Sequence, residues 1–428
     1  MNPLYKMVVY KKNIFNISNI SIFFLFLLML WSMDPWFSWI YRGIMIFALS
    51  GCFLLLRCVL FERSNGNYTI CYSIMAIIFI ACLVYFMTDM RHMRGLVSFF
   101  STIRAVLVFA FVMAMHKEEK KQIVTMTTYL YAWIMGISMA AYFLVIAGVN
   151  LPYSMITHPG RPYFFPNYYN YGLFVVGTHA TVFFQRFQSV FAEPGNLGPI
   201  SAFLVYINQY EIRKKRVLVI FISVIVSFSL AGYVLLAMGY IIWIVTKSKN
   251  IYKPLLKILI ATVLLASTGF IFYAVNPDSM VSRLVLSRFE RDADGNIQHN
   301  RTGDAFDRFF EMQFITSTES ILWGANLTED EDRLIRVGNS SYRVFLVRQG
   351  IIAMILLFLM YFAIISLTPS LLGVGLLLLC AAAFIQRTAL PLWEMQLFLF
   401  VGATQYFYIE PSCKLGRPFF KISWLKGV

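Results

Sequence analysis

Arg186-Phe-Gln-Ser-Val-Phe-Ala-Glu193-Pro194-Gly195-Asn-Leu-Gly198-Pro199 sets an arginine and a glutamate just ahead of a Pro-Gly pair that breaks any helix running through it. Two chemistries fit these residues. A guanidinium is always charged and bonds phosphate oxygens in a bidentate fork, and a nearby carboxylate can take a proton, which together suit an anionic, lipid-carried substrate. A helix start explains the same residues with no substrate: Pro194 in the first turn and Glu193 at the positive end of the helix.

Further arginines fall at or just below the outer boundary of the apolar segments described below: Arg104, Arg343, Arg348 and Arg387. Arg104 lies about nine residues into its segment, roughly 13 Å deep at helical rise, too far to reach water cheaply. Such an arginine either meets a ligand or is held by a structural carboxylate or the carbonyl end of a helix. A second group is His299-Asn-Arg301-Thr-Gly-Asp304-Ala-Phe-Asp307-Arg308. Here Asp304 or Asp307 could serve as a base and Arg301 or Arg308 as a phosphate contact. A solvated helix laced with an Asp304 to Arg308 ion pair accounts for the same charges. The following Phe309, Phe310, Met312, Phe314 and Ile315 predict an amphipathic helix lying on a membrane or over a cavity.

Other signals point to turns and solvated charge. Asp292-Ala-Asp294-Gly295-Asn296 lacks the glycine position and closing glutamate of a calcium loop and reads as a turn, and Glu329 to Asp332 reads as a solvated acidic run. There is no Ser/His/Asp order, no Walker loop and no Cys/His metal spacing. No metal and no cofactor is expected.

The elements that must position these residues are apolar. Of 428 residues 59% are hydrophobic and 13% charged, where a soluble protein carries about twice that charged fraction; the mean hydropathy is +0.69. The chain is expected to be an all-α polytopic membrane protein. Its net charge of +15 does not point to nucleic acid, because the lysines gather in short clusters at 6–12, 117–121, 214–215, 247–257 and 414–426, beside apolar runs. That is the positive-inside pattern of a cytoplasmic face. The run from Ile14 to Met33 is too long for a signal sequence and reads as a first span. No long loop carries a pair of cysteines to staple it.

With the lysines inside, spans are expected at about 14–33, 41–61, 69–87, 95–116 and 122–148. These make up an N-terminal unit of residues 1–148, each span near the roughly 20 residues that cross a bilayer. Residues 149–194 form a first large external loop, rich in tyrosine, whose segment Gly172–Phe191 is read as extended structure lying on the surface. Residues 195–275 return through the membrane, with spans at 195–211 and 258–275 on either side of a further apolar run. Within them, Val217 to Val245 has cationic residues at both ends, so it is read as two short helices of about 14 residues each (217–246), joined near Ser229-Leu-Ala-Gly232. A single long tilted helix is the competing reading. Residues 276–342 form a second large external loop with twelve acidic residues, seven arginines and no lysine. Residues 343–428 add spans at 343–366, 370–386 and 393–409 and a basic cytoplasmic tail. Twelve spans with both termini inside result.

Layout and local segments together resemble the Wzy-type O-antigen polymerases, relatives of the O-antigen ligases. Arg186 with Phe191-Ala-Glu193-Pro194-Gly195 looks like that family's passage from the first external loop into a helix, and Ser229-Leu-Ala-Gly232 like its turn between short helices. Arg301-Thr-Gly-Asp304, Ile321-Leu-Trp-Gly324, Asn339-Ser-Ser-Tyr342 and Gly350 look like its second loop and re-entrant helix. Arg161 and Gly172 match an Arg-ten residues-Gly spacing. The ligases carry a histidine-rich motif near the second loop's return. Asn339-Ser-Ser-Tyr342 holds none, which favours polymerase over ligase.

The resemblance implies a GT-C-like, metal-independent glycosyltransferase of the bacterial inner membrane, active on the periplasmic side. It would join undecaprenyl-diphosphate-linked repeat units, with a flippase and a chain-length regulator as partners. Glu193 is then the first candidate base and Asp304 the second. Arg104, Arg161, Arg186, Arg301, Arg308 and Arg343, with Tyr342, are the candidate diphosphate and sugar contacts. Tyr163, Tyr168, Tyr169 and Tyr171 could stack on sugar rings. A ligase, a lipid-linked oligosaccharide flippase and a non-catalytic assembly factor are the alternatives. A flippase would be expected to spread its charges through a central cavity and keep its external loops short.

Overall fold

The computed structural model describes residues 17–39, 41–61, 95–158, 167–178, 186–247, 252, 304–328, 331, 342–386 and 394–408. They are mostly helical. The expected spans at 69–87 and 258–275 lie outside the described residues, as do Arg161, Arg301, Arg387, His299 and Asn339-Ser-Ser341.

The helices are α1 (Ile17–Ser32), α2 (Arg42–Phe61), α3 (Gly95–Ala114), α4 (Lys117–Ile146), α5 (Pro194–Ile207), α6 (Lys215–Val226) and α7 (Leu230–Lys247), followed by α8 (Asp304–Phe309), α9 (Thr318–Trp323), α10 (Tyr342–Leu367), α11 (Leu371–Gln386) and α12 (Glu394–Phe407). Among the described residues four helices are long and apolar enough to cross a membrane: within α2, α4, α7 and α10. Helices α1, α11 and the second half of α3 are apolar but shorter.

Helix α4 begins at Lys117, ahead of the expected 122, because its N-terminus is capped. The His116 ring accepts from the Glu118 N–H (3.4 Å), and the Glu119 carboxylate accepts from the His116 N–H (3.1 Å). Its 30 residues span roughly 45 Å at helical rise, so one end projects beyond a bilayer.

Val217 to Val245 is two helices, as its flanking charges require, but unequal ones. Helix α6 has 12 residues and α7 has 18, so only α6 is too short to span. Phe228, at φ +48°, takes the left-handed turn between them.

Two expectations need correction. The described parts of Gly172–Phe191 do not lie on the surface: residues 174–176 and 187–191 are buried. Strands β1 (Ser154–Thr157), β2 (Asn167–Asn170) and β3 (Val175–Gly177) form an antiparallel meander in the order β1-β2-β3. The loop is fastened to α4 by aromatic packing: Phe174, Phe187 and Phe191 are fully buried, with ring centroids of Phe174 and Phe187 5.9 and 5.3 Å from Tyr142, and Phe191 stacked 6.3 Å from Tyr131. The fold is therefore helical with a small sheet inserted.

The span expected at 343–366 is also not one helix. Gly350 has φ +75° and breaks α10 after eight residues. A Cβ there would lie 2.2 Å from the Leu322 carbonyl oxygen, and one on Gly324 would lie 2.5 Å from the Arg348 carbonyl oxygen. Ala325 N–H donates to Val347 O (2.7 Å). Backbone contact between α9 and the α10 break is what these two glycines permit.

The amphipathic segment after Asp304 exists in a different phase from the expected one. Phe306, Phe310 and Phe314 are the buried stripe, packed with Val344 and Val347, while Met312 and Ile315 are exposed. A single π turn at Phe310–Phe314 keeps the three rings in line.

Candidate functional site

Glu193 is the N-cap of α5, in extended geometry (φ −154°, ψ 151°), with Pro194 in the first turn. The helix-start reading of these residues holds. The Glu193 side chain makes no capping hydrogen bond and is half-buried. Its helix is anchored from two directions. Asn196 Nδ2 donates to Met33 O (3.1 Å) at the end of α1, and Tyr168 Oη donates to Ala192 O (3.1 Å) from the sheet.

The turn between α6 and α7 reaches the same place. A Cβ on Gly198 would lie 2.7 Å from Ser229 Oγ, and one on Gly232 would lie 2.9 Å from Gly198 Cα, so α5 and the start of α7 cross at backbone contact. Ser229 Oγ accepts from the Gly232 N–H (3.3 Å) and caps α7. Arg186 donates from Nη2 to Phe228 O (2.6 Å) and from Nε to Ser227 O (3.3 Å), the carbonyls of the C-cap and the residue after it at the end of α6. Of its two alternatives, Arg186 has the helix C-terminus, where a cation is favourable. Arg186, Glu193 and the Ser227–Gly232 turn thus form one rim.

Arg104 has the structural carboxylate. It pairs with Glu394 at the start of α12, both side chains about one-tenth exposed, and donates to Ser50 Oγ (3.1 Å). This pair adjoins the rim through the last turn of α1: Met395 N–H donates to Ser32 Oγ (3.4 Å), one residue before the Met33 carbonyl that holds Asn196. Glu394 has a readable signal, an acidic residue opening an apolar run whose partner must be a cation.

A buried histidine–aspartate contact was not legible as such. His158 Nε2 lies 2.8 Å from Asp34 Oδ2, both groups largely buried beneath Trp39, whose ring is 4.6 Å from the imidazole and 4.9 Å from Tyr168. Trp36 N–H donates to Val190 O (2.8 Å), binding this α1–α2 connection to the segment leading into Glu193. The signal lay in Asp34-Pro35 and His158-Pro159, each a polar residue whose backbone a following proline keeps out of a continuing helix. Asp34 (φ +61°), Ser189 (φ +54°) and Phe228 (φ +48°) put three left-handed non-glycine residues around this rim. Backbone of that kind persists where the surroundings over-determine it, and clusters at functional sites.

The tyrosines of the first loop divide. Tyr168 is buried against Trp39, while Tyr169 and Tyr171 gather with the exposed Tyr153 at centroid distances of 5.0 and 5.6 Å. Loss of water around Tyr171, with Tyr153 and Tyr169 near it, raises its phenol above the ordinary value. Tyr163 lies outside the described residues.

The second-loop candidates form a separate group. Arg343 pairs with Asp307 (3.0 Å) and sits over the Phe310 ring, 5.0 Å from its centroid. Tyr342 opens α10, Arg308 ends α8 and Arg348 lies at the Gly350 break. Asp304 begins α8, and its side chain lies outside the described part.

The class defined is a mostly helical protein with helices able to cross a membrane. Comparison of the chain with models of known protein families and with curated proteins finds no match.

Proposed function

We propose that the protein polymerises undecaprenyl-diphosphate-linked oligosaccharide repeat units at the periplasmic face of a bacterial inner membrane. The observation that carries this reading is the rim itself: Arg186, Glu193 and the Ser227–Gly232 turn, distant in sequence and the segments that resemble the polymerases, meet through Gly198 and two carbonyl hydrogen bonds.

In the proposed reaction Glu193 takes the proton from an acceptor hydroxyl at the non-reducing end of a new unit. The oxygen attacks the anomeric carbon of the growing chain, and the bond to the lipid diphosphate breaks. Charge develops on the leaving diphosphate, which Arg186 faces and stabilises, and the proton stays on Glu193 until released to water. Arg104, tied to Glu394, acts by holding α3 and α12 in register beside the rim. Arg161 and Arg301 stay candidate diphosphate contacts, and Asp304 the second candidate base.

Replacement of the native gene by one encoding Glu193→Gln tests this in cells. Surface polysaccharide should stop at single repeat units while protein level is kept. Long polysaccharide in that strain sinks the assignment.

A further inference from the structure

The turn from Met33 to Trp39 runs beside the segment that carries Glu193 and holds it on both sides. Before Glu193, Trp36 N–H donates to Val190 O (2.8 Å) and Pro35 forms an antiparallel bridge with Phe191. After it, Asn196 Nδ2 donates to Met33 O (3.1 Å). Residues 33, 35 and 36 thus bracket the candidate base, and Asp34 stands between them.

The Asp34 side chain ties this turn to the first external loop. Asp34 sits at φ +61°, a backbone state that costs a non-glycine residue energy and persists where its surroundings impose it. Its carboxylate lies 2.8 Å from Nε2 of His158, the residue that follows β1, and both residues are buried. Trp39 closes over the contact: its ring packs on His158, and its Nε1–H donates to Asp34 O (3.4 Å). The same ring packs on Tyr168, whose hydroxyl donates to Ala192 O (3.1 Å), one residue before Glu193. Two routes therefore lead from the contact to Glu193, one through the Met33–Trp36 backbone and one through Trp39 and Tyr168.

We propose that Asp34 and His158 are positioning residues for Glu193: their hydrogen bond locks the α1–α2 turn to the first loop, and the locked turn sets where the Glu193 carboxylate stands at the rim. The inference rests on Glu193 being the base of the polymerase reading. A catalytic group misplaced by about 1 Å can lose about a hundredfold in rate with its substrate still bound.

The test uses the full chain, purified in a neutral detergent, as wild type, His158→Phe, His158→Gln, Asp34→Ala and His158→Phe/Asp34→Ala, with unfolding midpoints to express each rate per folded molecule. His158→Phe keeps a ring beneath Trp39 without the N–H, and His158→Gln keeps an N–H donor without the ring. Chain lengthening is followed against the concentration of undecaprenyl-diphosphate-linked repeat units. His158→Phe and Asp34→Ala should each lower kcat about tenfold or more and leave KM within about twofold, and the double variant should be no slower than the worse single. His158→Gln should recover most of kcat. Amide hydrogen exchange without substrate gives a second readout: residues 188–197 should exchange faster in His158→Phe and Asp34→Ala, with α11 unchanged. Activity kept in His158→Phe but lost in His158→Gln makes the role one of packing and overturns the proposal. Wild-type kcat in the two single variants, a raised KM at unchanged kcat, or unchanged exchange in 188–197 also overturns it. A wild type that lengthens no chain sinks the polymerase reading instead, and the exchange result alone then decides whether the contact locks the Glu193 segment.

Discussion

Among the described residues most buried charges are paired, and the pairs differ in kind. Arg57 meets Glu119 in a bidentate fork (3.0 and 2.9 Å) with both side chains 7% exposed, and Ser18 Oγ also donates to the carboxylate. Removing one partner leaves a bare buried charge, whereas removing both does not. Arg57→Met should therefore lower stability by about 3–5 kcal/mol, and Arg57→Met/Glu119→Met by far less. Thermal unfolding of both variants in detergent checks the contrast; equal losses would contradict a buried pair. Arg186 is tied to carbonyls instead of a carboxylate. Arg186→Met should cost about 1.5–3 kcal/mol, the range for hydrogen bonds to a charged group, as well as lowering chain lengthening. Full activity at reduced stability would leave Arg186 only a cap on α6.

At the scale of elements, much was legible where the signal is composition. Apolar runs marked the long described helices to within a few residues, α10 apart from its break, and the charges at both ends of 217–246 pointed to a helical pair. What was not legible depended on partners distant in sequence. The run Gly172–Phe191, broken by Gly177, His179, Gln185 and Arg186, has no clean period, and only the rings of Tyr131 and Tyr142 on α4 explain why Phe174, Phe187 and Phe191 are buried. Likewise the phase of Phe306, Phe310 and Phe314 follows from Val344 and Val347. The break at Gly350 was noted as a motif but not as a break, since a glycine in an apolar run reads as ordinary until its φ is known. Gly350→Ala should cost about 2–4 kcal/mol, from a left-handed φ and a Cβ aimed at the Leu322 carbonyl. Unfolding midpoints for Gly350→Ala and for Gly43→Ala, where nothing lies within 4 Å of the added carbon, give the comparison. A cost at Gly350 no larger than at Gly43 would contradict the broken α10.

For the whole molecule, the helix ends that the lysines assign to one side are brought together. The start of α1, the end of α2 and the start of α4 meet at Ser18, Arg57 and Glu119, and the ends of α3, α10 and α12 meet the start of α4 around a cavity. At the other end, the end of α1 and the starts of α5 and α12 meet near Asn196 and Met395. In the proposed function the lysine rule assigns the rim's end to the periplasmic side. In a cysteine-free background, a membrane-impermeant thiol reagent should label a cysteine at Tyr153 in intact spheroplasts and one at Lys117 only after permeabilisation. The reverse pattern would invert the topology and remove the rim from the periplasm.

The most direct test of the central claim is purified wild-type protein and Glu193→Gln, each incubated with undecaprenyl-diphosphate-linked repeat units and resolved as glycolipids by gel. The wild type should give a ladder of lengthened chains, and Glu193→Gln should give at least about a hundredfold less, the scale of a lost general base. A ladder of wild-type intensity from Glu193→Gln, or no new glycosidic bond from either protein, would contradict the account.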